Sequence, residues 1–260
     1  MKKYFAFYLN LFNRHSSGNM KKLQFLLFLI ATLVNFGSTI LFDSQFDDDA
    51  RVLIQPAGYA FSIWGPIFFG MIIYSWFQMK SERVDSPYLR TATIAGIFAA
   101  LASISFVPIS FTNIQWLGFA NILWHLIALV VLFIALRKQI NLEENPSTHW
   151  YYLPTQMYLG WICAATAVSA ALMLTEAGVN LPIEQQVSIT AVIIGALVLI
   201  GIFMAFQKGM VVPLVFIWAS IGIIAENGEY PTIKYASIAA IVILTVVSLS
   251  QIIKRKRLAF

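Results

Sequence analysis

Eight apolar segments of nearly bilayer-spanning length are spaced along this 260-residue chain, at 23–42, 57–79, 90–109, 115–136, 150–174, 187–206, 210–225 and 232–253. A hydrocarbon core of about 30 Å takes roughly 20 helical residues to cross, and most of these segments reach that length. Water is absent there, so each backbone amide must find its partner within the segment, which favours helices. The expected fold is therefore all-α, a polytopic transmembrane bundle of about eight spans. The seventh segment is the shortest, and the Gln207-Lys208-Gly209 connection before it is tight.

Charge placement supports the same count. Only 11% of residues are charged, against about 25% in average soluble domains. Numbered from a cytoplasmic N-terminus, eight spans put fifteen of the seventeen lysines and arginines on one side. Arg51 and Lys234 alone fall on the other, beside Asp43, Asp47, Asp48, Asp49, Glu176, Glu184, Glu226 and Glu229. Adding or removing one span would scramble that segregation in every later loop. The positive-inside rule then predicts a multi-pass protein with both termini cytoplasmic, in a membrane such as the bacterial inner membrane. The net charge of +5 is explained by this topology, and no nucleic-acid partner is expected. The aromatic run at 4–12, flanked by basic residues, is suited to lying along the inner membrane surface. Met-Lys-Lys recurs at 20–22, which makes Met20 a second candidate initiator.

The segment at 56–78 is too elaborate for a lipid anchor. It carries Pro56, Pro66, three glycines and a crowd of aromatic rings, including Tyr59, Phe61, Trp64 and Phe68. Pro56 opens the segment where a missing N–H costs little. Pro66 is expected to kink the helix and free a carbonyl near Ser62, whose hydroxyl is available to help satisfy it.

The tryptophans divide by depth. Trp76, Trp116 and Trp150 fall near span ends, as an interfacial belt requires. Trp64, Trp124, Trp161 and Trp218 lie about seven to eleven residues inside their spans, roughly 10–16 Å deep at 1.5 Å per residue. Indole N–H groups at that depth need a partner from the bundle or from a ligand. His125 stands well inside the fourth span, and Asn121, one turn earlier, shares its face. A titratable group at that depth marks a site or satisfies a backbone carbonyl. His15 and His149 sit in cytoplasmic flanks, and Cys163 is read as a small buried hydrophobe.

Several classes are excluded or weakened. The single cysteine forbids a disulfide framework. The acidic stretch Asp43–Asp49 lacks the ligand series of an EF-hand and reads as an outer loop. Phosphate-loop, nucleophile-elbow and zinc-protease motifs are absent. No carboxylate lies mid-span, which weakens a proton- or sodium-coupled transporter.

Two stretches carry a family resemblance. Pro56-Ala-Gly-Tyr-Ala-Phe61-Ser-Ile-Trp64-Gly-Pro-Ile-Phe68 resembles the second helix of the tryptophan-rich sensory proteins, the TspO/MBR or translocator protein family. Pro154-Thr-Gln-Met-Tyr158-Leu-Gly-Trp161-Ile-Cys-Ala-Ala165 resembles its fifth. The resemblance covers about two thirds of the chain. It implies a five-helix core over 23–174, to which hydropathy and charge add a cytoplasmic segment at 1–22, three further helices over 175–253 and a basic tail at 254–260. It also implies a pocket for tetrapyrroles, sterol-like lipids and other flat apolar molecules, with Trp64, Tyr158, Trp161 and Ala165 at matching positions. Phe61 stands three residues before Trp64, where the family commonly has four, which favours a binder over a porphyrin-degrading enzyme.

The combined expectation is a membrane binding protein that acts as sensor, carrier or regulator and requires no cofactor. A tetrapyrrole is one ligand it would take, and a homodimer is compatible with it. Its predicted site is Tyr59, Phe61, Trp64, Phe68, Asn121, Trp124, His125, Tyr158, Trp161 and Ala165. Two alternatives compete, namely a small-molecule transporter whose path is framed by the second and seventh spans, and an assembly protein whose rings only pack.

Overall fold

The computed structural model describes residues 2–41, 52–80, 86–112, 114–142 and 152–258. His149, Trp150 and the acidic stretch Asp43–Asp49 lie outside them. Among the described residues the chain is helical without strands. The helices are α1 (Lys2–Leu41), α2 (Trp64–Lys80), α3 (Pro87–Ser110), α4 (Gln115–Ile140), α5 (Leu153–Glu176), α6 (Ile183–Phe206), α7 (Val211–Asn227) and α8 (Pro231–Leu258). Seven helical segments are long and apolar enough to cross a membrane, and α7 is a shorter apolar helix.

Local chemistry sets several boundaries. Ser86 caps α3 by accepting the Leu89 N–H at 3.1 Å, and Pro87 takes the first helical position. The Ser86 hydroxyl also donates to the Gln139 side-chain carbonyl, tying α3 to the end of α4. Pro154, Pro213 and Pro231 stand in the first turns of α5, α7 and α8, where the missing amide hydrogen has no intrahelical acceptor. The turn between α6 and α7 closes through Lys208 at φ 67° and a 2.8 Å bond from the Gly209 amide to the Met204 carbonyl.

Two expectations change. The segment at 4–12 continues directly into the first span, so α1 is one 40-residue helix of about 60 Å. Pro66 does not kink a helical interior. A 3-10 turn over Gly58–Ile63 precedes α2, which places Pro66 in the first turn of the α-helix. A proline there loses no helical bond, and the geometry changes at the 3-10 junction instead.

Helix α3 is the spine of the first half. Its buried stripe is mostly small, with Ala92, Ala95, Gly96, Ala99, Ala100 and Ser103, and small residues let helices approach closely where lipid supplies no hydrophobic drive. It packs on α1 and α4, while α4 packs on α5 and α2 bridges α1 and α5. The second half, α6 to α8, joins the first mainly through α7 against α5. An added Cβ at Gly160 would stand 3.0 Å from the Val215 side chain, which shows how near these two helices run.

Helix α7 also grips the strap that leads into α2. The Ala57 amide donates to the Gly222 carbonyl at 3.0 Å, the Trp218 indole to the Ala60 carbonyl at 2.9 Å and the Asn227 amide to the Gln55 carbonyl at 3.2 Å. These bonds occupy polar groups that a helix would otherwise satisfy internally. They require a close approach, since a Cβ on Gly222 would sit 2.8 Å from Pro56 and 2.9 Å from Ala60. Gly222→Val is therefore expected to destabilise the protein by about 1–3 kcal/mol through overpacking. The thermal unfolding midpoint of detergent-purified protein measures this. Gly195→Ala, at a position with open space around it, should leave that midpoint unchanged or slightly higher.

Candidate functional site

An aromatic box forms where the strap, α2, α4 and α5 meet. Trp64 stacks on Phe68, one turn along α2, at 5.2 Å between ring centroids and 18° between planes. Trp64 also meets Tyr158 edge-on at 5.8 Å and Trp161 at 6.3 Å. Phe61, from the 3-10 turn, meets Trp161 at 5.5 Å and 88°. His125 closes the box from α4, with its ring 4.8 Å from that of Tyr158. These edge-to-face and offset arrangements are the ones that ring quadrupoles favour. Helical period explains the selection, because positions 64 and 68 share one face of α2 and positions 158 and 161 share one face of α5.

A polar seam runs behind the rings. Asn35 on α1 donates to the Ser103 carbonyl and hydroxyl oxygens, each at 3.2 Å. The Tyr158 hydroxyl points toward Ser103 without closing a hydrogen bond of normal geometry. Asn121 donates to the Ser105 hydroxyl oxygen at 2.8 Å. Asn121 Oδ1, His125 Nε2, the Tyr158 hydroxyl and Trp161 Nε1 are among the buried side-chain atoms without a hydrogen-bond partner, as are atoms of Gln24, Gln78, Ser237 and Ser248 elsewhere in the bundle. Most buried polar atoms in proteins are paired, so this cluster on two adjacent helices makes the α4–α5 seam a candidate site.

Some predicted residues lie elsewhere. Trp124 is 38% exposed and faces an open apolar groove of about 250 Å³ between α3 and α4, beside Phe98. Successive helical residues point about 100° apart, so burying His125 turns its neighbour outward. Tyr59 is 48% exposed and packs edge-on against Trp218 at 5.7 Å. Trp218 spends its N–H on the Ala60 carbonyl. Of the four deep tryptophans, the box thus gathers Trp64 and Trp161 only. Ala165 is half-buried one turn beyond Trp161. Trp76 and Trp116 are 45% and 57% exposed, in keeping with an interfacial place. Cys163 is half-buried.

Asn35, Ser103 and Ser105 were not among the expected site residues. Each is a polar side chain inside an apolar segment, and Asn35 is the stronger signal because an amide cannot be satisfied by its own backbone alone. Ser and Thr often bond their own helix, as Ser105 does to Ala102 at 3.1 Å, so their side chains give little warning. No group of three or more metal-ligating side chains occurs among the described residues.

Comparison with known proteins agrees with the helical arrangement. The family model for TSPO-like proteins matches residues 21–250. The chain belongs to the TSPO-like protein family. The match runs through all eight helices and does not stop at residue 174. No curated protein and no solved structure is significantly similar to the chain.

The orphaned imidazole gives a test in the ligand-free protein. His125→Phe keeps a ring against Tyr158 and removes the unpaired nitrogen. It should leave the thermal unfolding midpoint unchanged or raise it by the equivalent of about 1 kcal/mol. His125→Ala should lower it, because the ring packing is lost as well.

Proposed function

We propose that this TSPO-like membrane protein binds a planar hydrophobic molecule, such as a porphyrin or a sterol-like lipid, in the aromatic box, and acts as a sensor, carrier or regulator. The observation that carries the reading is the convergence of Phe61, Trp64, Phe68, Tyr158 and Trp161 around buried polar atoms that lack protein partners. Binding sites for flat apolar ligands combine apolar walls with a few placed polar groups, and this box has both. Burying an indole N–H, an imidazole nitrogen and an amide oxygen unpaired costs free energy, which a ligand that offers partners would recover. The resemblance of residues 56–68 and 154–165 to the second and fifth helices of tryptophan-rich sensory proteins points to the same ligands. Positive-inside placement puts both termini on the cytoplasmic side, in a membrane such as the bacterial inner membrane.

A transporter reading asks for a path between the second and seventh spans. Backbone contact between Ala57 and Gly222 and the Trp218 bond to Ala60 occupy that boundary, which favours a binder.

Titration of a porphyrin against the purified protein tests the proposal through tryptophan fluorescence. Saturable quenching is expected in the native chain. Trp64→Leu and Trp161→Leu should each weaken it by about fivefold or more, since base or ligand stacking on one ring is worth about 1–3 kcal/mol. Linear, non-saturating quenching that is unaltered in both variants would sink the reading.

A further inference from the structure

We infer that the groove between α3 and α4 holds one phospholipid of the cytoplasmic leaflet, with an acyl chain along the groove and the phosphate at its Lys138–Arg90 end. This site lies on the outer face of the bundle and is separate from the aromatic box.

The groove has a deep end and a mouth. Its walls are Thr91, Ile94 and Phe98 on α3 and Trp124, Ile127 and Val131 on α4, which enclose about 250 Å³. The buried Ala95 and Ala128 also line it, and their small side chains leave the space open. Phe98 and Trp124 close the deep end, with ring centroids 6.4 Å apart and planes at 66°. The wall residues recur at helical period, and both rows continue past the groove. One turn before Thr91 stands Tyr88, and one and two turns beyond Val131 stand Ile134 and Lys138. The rows meet again there, where the Lys138 ammonium lies 5.4 Å from the Tyr88 ring centroid.

Length assigns the groove to one leaflet. Tyr88 and Phe98 are ten residues apart, which is about 15 Å along a helix. That is half of a hydrocarbon core of about 30 Å, the depth of one acyl chain. Positive-inside placement makes the Tyr88–Lys138 end cytoplasmic. An acyl chain that enters at the inner surface therefore ends against Phe98 and Trp124.

Charge selects what stands at the mouth. Lys138 is exposed, and Arg90, also exposed, lies one turn before the wall residue Ile94. Neither is ion-paired among the described residues. Long basic side chains at a span end reach the headgroup level, where the lipid phosphate is their natural partner. A second copy of this chain fits the same face poorly. Copies inserted with one orientation are related by an axis along the membrane normal, so this face would meet itself at equal depth. Lys138 and Arg90 would then each confront their own counterparts, and like charges brought together disfavour association.

Two lipids with matched chains separate the possibilities. Full-length protein in a neutral detergent is titrated with dioleoylphosphatidylglycerol and with dioleoylglycerol, which lacks the phosphate. Native mass spectrometry counts the lipids retained per chain. A single phosphatidylglycerol is expected, bound about tenfold or more tighter than dioleoylglycerol. Lys138→Gln and Arg90→Gln should each weaken it by about fivefold, whereas Lys234→Gln, at the start of α8, should not change it. Thr91→Trp, which fills the groove from an exposed position, should weaken it at least as much as either charge removal. All four side chains are exposed, so thermal unfolding midpoints should stay near the native value. Equal retention of the two lipids overturns the inference. So does phosphatidylglycerol binding that is the same in all four variants, or a dimer that Thr91→Trp dissociates. The ranking of the two lipids on the native chain decides the matter even if no variant folds.

Discussion

The contact between His125 and Tyr158 is the interaction on which the rest of the site depends. It fixes the register of α4 against α5 and thereby decides which side chains share a level. From that register follows the position of Trp64, which touches both Tyr158 and Trp161. The contact is possible because α3 offers a stripe of alanine, glycine and serine that lets α1 and α4 approach. In hydrocarbon the driving force for such register is packing and polar satisfaction, since lipid tails are as apolar as leucine.

The last three helices have a structural share in the site. Helix α7 lies against α5 and also bonds the strap carrying Tyr59, Ala60 and Phe61. Phe61 therefore reaches Trp161 from a segment anchored at three points by another part of the bundle. A free loop at that place would present unpaired amides to a medium without water. The strap is a 3-10 turn closed by its own bonds and by those of α7, and this keeps non-helical backbone tolerable at membrane depth.

Much of the architecture was legible from residue type and spacing. Helix existence followed from segment length, and the short α7 was visible as the weakest segment. Trp64, Phe68, Tyr158, Trp161, Asn121 and His125 could be singled out because polar or ring-rich positions deep in a span are costly. Pro66 misled, because a proline reads as a kink until the start of the α-helix is known. Trp124 misled for a different reason. Its depth equals that of its neighbour His125, yet a step of one residue turns a side chain from the bundle to the lipid. Asn35 and Ser103 went unremarked because their value lies in each other, on α1 and α3, and sequence distance hides such pairs.

What the sequence by itself determined is the class of protein, a multi-pass helical bundle, together with the set of side chains able to form an apolar site with polar points. Those conclusions rest on composition and on helical period, which are local properties. What only the tertiary structure decided is which of those side chains meet. The rotation of each helix about its axis, the antiparallel register of α4 and α5, and the bracing of the strap by α7 all arise from contacts between distant segments. No local period encodes them, because they are set by how small residues, rings and unpaired amides fit together in a medium that offers no water.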